Sequence, residues 1–82
     1  MQNKSMSETP VANWESIIHK NVRSADGEDS GNVIAVEGDT ILVDSEGDRG
    51  HFLIPKSLVA DFNGAEVILN KPRAELYQYK KR

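Results

Sequence analysis

Two imidazoles, two carboxylate clusters and a basic end are the groups in this chain with chemistry to offer. His19 and His51 are the only histidines. Neither has further ligands at the short spacings that build a protein metal site, which needs three or four groups converging on one ion. The chain has no cysteine, which excludes a thiolate nucleophile, a thiolate metal site and a disulfide framework. Serine is plentiful, but no Gly-x-Ser-x-Gly elbow presents one as a nucleophile. The expectation is a protein that is not an enzyme.

The carboxylates fall in two turns, Asp26, Glu28 and Asp29 in one and Asp44, Glu46 and Asp48 in the other. The second set offers oxygen at alternate positions, as a calcium loop does. It fails at two diagnostic places, with Arg49 where such a loop needs glycine and Pro55 where it needs a bidentate glutamate. Both sets are read as solvated hairpin turns. Gly27 and Gly31 sit among carboxylates that would repel phosphate, and they do not open a helix. No metal and no cofactor is expected.

The basic groups gather at the end. Lys71, Arg73, Lys80, Lys81 and Arg82 stand against Glu75, a local balance of +4 in a chain of net charge −3, so the residues before them carry −7. A body that acidic is a poor binder of phosphate backbones. A nucleic-acid role would reside in this segment, where Tyr77 and Tyr79 could stack on single-stranded RNA. The plainer reading is an amphipathic helix with Leu76 on the core and its basic end in water.

What positions these groups is a series of short strands. Gly, Pro and Asx residues cut the chain between Trp14 and Leu69 into pieces of strand length rich in Val and Ile. Asn13 is a candidate cap for one helical turn carrying Trp14, Ile17 and Ile18. Strands are expected at about 21–24, 31–37, 40–44, 51–54 and 65–69, with a short turn over 56–60. Asp26-Gly27 and Asn63-Gly64 are read as type I′ turns, whose two central residues both take positive φ. Pro72 suits the first turn of a helix through Gln78, with Lys80, Lys81 and Arg82 beyond its C-terminus.

The expected fold class is therefore all-β, a small antiparallel barrel of five to six strands with a short C-terminal helix. Residues 1–12 read as a disordered tail, 13–70 as the barrel and 71–82 as a basic helix or tail. No apolar run approaches the length of a membrane span, and Met1 to Ala12 lack the apolar stretch of a signal peptide. The localisation expected is cytoplasmic.

Several strands carry apolar residues on both alternation phases, although a barrel has one interior. A domain this small buries only a modest share of its surface. Self-association as a homodimer is expected through an edge or apolar face of the 32–44 hairpin, carried by Ile34, Val36, Ile41, Leu42 and Val43.

Val22-Arg23-Ser24-Ala25-Asp26-Gly27-Glu28-Asp29-Ser30-Gly31-Asn32-Val33 resembles the opening Val, small residues, Asp-Gly, Gly, Val pattern of PRC-barrel domains. Phe52-Leu53-Ile54-Pro55-Lys56-Ser57-Leu58-Val59 is similar to their aromatic-x-Ile-Pro-x-x-x-Val segment. The Glu37 to Ile41 turn and the Asn63 to Lys71 stretch extend the likeness, which covers about Ile17 to Glu75. The resemblance implies a small β-barrel used for binding, as in a module of a ribosome maturation factor, a domain of the photosynthetic reaction-centre H subunit, and free-standing archaeal proteins, some of them linked to cell division. The function expected is a non-enzymatic adaptor in a cell-division-type or other cytoplasmic assembly. The alternative is an RNA- or ribosome-associated factor acting through Lys71, Arg73, Lys80, Lys81 and Arg82.

Overall fold

The structure, a computed structural model, describes residues 11–45 and 50–81. Seven strands form one sheet: β1 (Asn21–Arg23), β2 (Asp29–Glu37), β3 (Thr40–Asp44), β4 (His51–Pro55), β5 (Val59–Phe62), β6 (Glu66–Leu69) and β7 (Lys80–Lys81), in the order β5-β6-β1-β2-β3-β4-β7. The all-β class is as expected. The closed barrel of five to six strands is not formed, because β5 and β7 end the sheet without pairing to each other.

The centre of the sheet is a meander, β1 to β4, made by chain neighbours. Pro55 cannot donate to a ladder, and a 3₁₀ turn over Lys56–Leu58 leads the chain away from β4. The β5–β6 hairpin then lays β6 along the free side of β1, with Val22 opposite Val67. That pair is parallel, so the expected wholly antiparallel sheet is corrected at one ladder.

Alternation along each strand sends one set of side chains inward. Val22, Val33, Ile41, Val43, Phe52, Ile54 and Val67 are all fully buried and meet in one cluster with Ile17, Val59, Leu69 and Leu76. A single core fed by six strands requires the sheet to curl. Three devices supply curvature, register shifts between Val22 and Arg23 against β2, between Val33 and Ala35 against β3, and between Val59 and Asp61 against β6. An extra residue in one strand bends it and increases its twist.

Short 3₁₀ turns cover the ends. Trp14–Ile17 is capped by Asn13, whose Oδ1 accepts from Glu15 N at 3.1 Å, and it buries Ile17 while leaving Trp14 half-buried beside Lys56. The core begins earlier than expected, since Val11 is 2% exposed and belongs to the cluster. The rest of the expected tail, residues 1–10, lies outside the described residues. At the other end Arg73–Tyr79 is 3₁₀. Lys80 and Lys81 do not extend it but pair with Phe52 and His51 as β7.

Both expected type I′ turns are corrected. Asp26 is not at positive φ; Gly27 is, at 85°, and its N–H donates to the Ser24 carbonyl at 2.9 Å, which makes a type I turn followed by a glycine bulge. At the β5–β6 turn only Gly64 is positive, at 94°. Asn63 N–H donates to the Glu66 carbonyl at 3.2 Å, so Gly64 and Ala65 are the central pair, with glycine first as in type II′.

Candidate functional site

The chemistry-bearing residues are dispersed. His19 is exposed ahead of β1 and His51 is half-buried at the start of β4. Among the described residues no group of three His, Asp or Glu side chains converges on a metal position. Asp44 is exposed at the end of β3, while Glu46 and Asp48 of the same cluster lie outside the described residues.

Asp26, Glu28 and Asp29 are held by internal hydrogen bonds. Ser24, buried at 1% exposure, donates from Oγ to Asp26 Oδ1, which also accepts the Arg73 backbone N–H at 3.1 Å. Those bonds, the Ser24 hydroxyl first, hold the Asp26 carboxyl below its ordinary range. Asp29 is lowered in the same way by the Asn21 carboxamide at 2.8 Å and then by Gly31 N–H at 3.1 Å. On the other side of β1, Arg23 bonds Glu66 Oε2 through Nε at 3.0 Å and through its terminal amino group at 2.8 Å.

The residues expected at an interface divide between two faces. Ile41 and Val43 are fully buried, and Val36 is half-buried against the core. Their side chains serve the interior, a correction imposed by the alternation of β3. The hairpin is not an edge either, because β2 pairs with β1 and β3, and β3 pairs with β2 and β4. Ile34 and Leu42 remain on the outside. Ile34 is 39% exposed because it is the extra residue at the register shift between Val33 and Ala35.

The register lines up a further apolar row on that outer face. Ala35 lies opposite Leu42, and Leu42 opposite Leu53, each partly exposed, so Ile34, Ala35, Leu42 and Leu53 form a stripe across the three central strands. The stripe has a polar rim at each end. One is the exposed Glu37-Gly38-Asp39 turn; the other is the aligned row Asn32, Asp44, His51 and Lys81. Leu53 escaped the sequence reading, although its alternation with Phe52 and Ile54 was the signal.

The described basic residues differ in exposure. The Arg73 guanidinium lies 5.2 Å from the Phe52 ring centre and 4.9 Å from that of Tyr77, while Lys71, Lys80 and Lys81 are exposed. Arg82 lies outside the described residues. Among the described residues no helix is long and apolar enough to cross a membrane.

Residues 18–77 match the family described as an uncharacterized protein conserved in bacteria (DUF2171). No curated protein and no solved structure matches the chain.

Proposed function

The chain belongs to the DUF2171 family, and we propose that it is a non-enzymatic, cytoplasmic interaction module that pairs with a second copy of itself through the outer face of β2, β3 and β4. The observation that carries this reading is the Ile34, Ala35, Leu42, Leu53 stripe, aligned in register on strands whose inner side chains already fill the core. Apolar side chains in a row on a sheet face gain free energy when a second such face removes them from water, with sheets about 10 Å apart.

One charge pairing, through Lys81, suits a second copy as the occupant. The acidic turn at Glu37 and Asp39 rims one side of the stripe, and on the other Lys81 and His51 stand in one row with Asp44, while Lys80 lies opposite the buried Phe52. A two-fold axis in the plane of the face and perpendicular to the strands sets the Glu37 and Asp39 turn of one protomer over the row of its partner that carries Lys81 and His51. The same face suits the adaptor role that the likeness to PRC-barrel domains implies, with this sheet as an opened relative of that barrel.

Sedimentation equilibrium tests the reading. The wild-type chain is expected to move toward the mass of two chains as concentration rises to tens of micromolar, and Leu42→Lys, a partly exposed site, to remain one chain with its circular dichroism unchanged. A single-chain mass throughout, indifferent to Leu42→Lys, ends the proposal. RNA binding that weakens steeply with salt and vanishes when Lys80, Lys81 and Arg82 are removed would replace it.

A further inference from the structure

The segment from Lys71 to Lys81 is attached to the rest of the fold like a bound peptide. It has four separable contacts. Leu76 inserts into the core and is fully buried. Arg73 and Tyr77 cover Phe52, the Tyr77 ring meeting it edge-on at 5.8 Å. The β1–β2 turn clasps the start of the segment, Ala25 N–H donating to the Lys71 carbonyl at 2.9 Å and Asp26 Oδ1 accepting Arg73 N–H. Lys80 and Lys81 add a two-residue strand to β4.

None of these contacts interrupts the sheet. The core is made by residues of β1 to β6 together with Val11, Ile17 and Leu58, and the segment enters it with Leu76 while Tyr79 packs against it. Its 3₁₀ form over seven residues is longer than such turns usually persist, so its conformation depends on the surface it lies on. Exposed Asn70 and Lys71 connect it to β6. The surface beneath combines the apolar hole that takes Leu76, the Phe52 ring and the Asp26 carboxylate, which complements an apolar segment that carries Arg73.

We propose that this surface is a peptide-binding seat, occupied in cis by the chain's own C-terminal segment, and that it takes from a partner protein a segment of the same chemistry: an Arg, then a Leu and an aromatic residue, then an extended basic pair. The mode joins a buried apolar anchor to strand addition on β4. The tethered segment competes at an effective concentration of the order of millimolar, as short linkers give. The seat is therefore closed to weak ligands until the tether is displaced. This site shares Lys81 with the rim of the outer stripe but none of its apolar residues, and Leu42→Lys leaves it intact.

The test uses the full chain and a fluorescent peptide with the sequence of residues 71–82. In Leu76→Lys the cis segment loses its anchor, so that chain is expected to bind the peptide saturably and at least about tenfold more tightly than wild type does. A peptide carrying the Leu76→Lys change binds neither. Leu76→Lys that unfolds, or that stays folded and binds no peptide, overturns the proposal. Hydrogen exchange of the wild-type chain gives an independent reading. The Arg73 and Glu75 amides are expected to exchange through local opening, faster than the Val33 amide, and exchange of all three at one common rate would also overturn it.

Discussion

Gly31 and Asp44 lie so close on neighbouring strands that a Cβ on Gly31 would overlap the Asp44 carbonyl oxygen and stand 2.9 Å from its carbon. Backbone atoms of a paired strand cannot move aside cheaply, and Gly31 also holds φ at 117°. Gly31→Ala combines a steric overlap with a conformation that L residues avoid. It is expected to cost about 3 kcal/mol or more, read as a lowered melting temperature, and an unchanged one would show that β2 and β3 are not this close.

That glycine was legible in the sequence as a bend and no further. Gly31 follows two carboxylates and precedes a Val-Ile run, which marks a bulge. Which backbone atom it would strike depends on the pairing of β2 with β3, a non-local fact. The turn at Asn63-Gly64 teaches the same lesson from the other side. The hairpin was legible and its type was not, because Asn63 Oδ1 accepts the amides of Ala65 at 2.9 Å and Glu66 at 2.8 Å and so selects a turn that needs positive φ at glycine alone. The parallel β1–β6 ladder left no trace in either strand, since residue types do not encode pairing direction.

Asn63→Ala should therefore lose about 1 kcal/mol with the acceptor of two backbone donors. Gly64→Val should destabilise at least as much, because a β-branched residue resists a φ of 94°. Nothing lies within 4 Å of a Cβ at Gly64, so conformation and not collision is the cause. Urea midpoints of the two variants measure both effects, and a neutral Gly64→Val would refute the turn geometry.

His19 is the one non-glycine described residue at positive φ, at 75°. Its N–H donates to the Val33 carbonyl at 2.6 Å, and its imidazole is exposed. His19→Gly keeps the hydrogen bond, loses no buried surface and removes the left-handed penalty, partly offset by glycine's larger unfolded-state entropy. A gain of about 1 kcal/mol is expected in thermal or urea unfolding. A loss would mean that the imidazole itself holds the turn.

Acid should loosen the β1–β2 turn before the sheet. The Asp26 and Asp29 carboxyls have folded-state values below the ordinary 3.8, Asp26 chiefly through the Ser24 hydroxyl and Asp29 chiefly through the Asn21 carboxamide. A carboxyl depressed by folding contributes stability that is complete above its unfolded value and is lost as pH falls through the folded one. Both groups are largely solvated, which limits the effect. The stability curve is expected to be flat above about pH 5 and to decline below about pH 4, with Asp26→Asn making the decline shallower. An unaltered pH dependence in Asp26→Asn would exclude this carboxylate from the linkage.

Neighbouring residues of β4 give the sharpest separation between fold and function. Ile54 is fully buried in the core, and Leu53 is half-buried in the outer stripe opposite Leu42. Removing the Ile54 side chain beyond Cβ leaves a cavity among Ile41, Val43 and Phe52, so Ile54→Ala should cost about 2–4 kcal/mol, a large share of the stability of so small a domain. Leu53→Ala opens no interior cavity and should cost about 1 kcal/mol or less. Its effect belongs to the pairing of two copies, where it should raise the dissociation constant measured by sedimentation. The two variants thus move different observables, unfolding for Ile54→Ala and association for Leu53→Ala. If Leu53→Ala unfolded the chain as readily as Ile54→Ala, the outer stripe would be part of the core and the alternation assigned to β4 would be wrong.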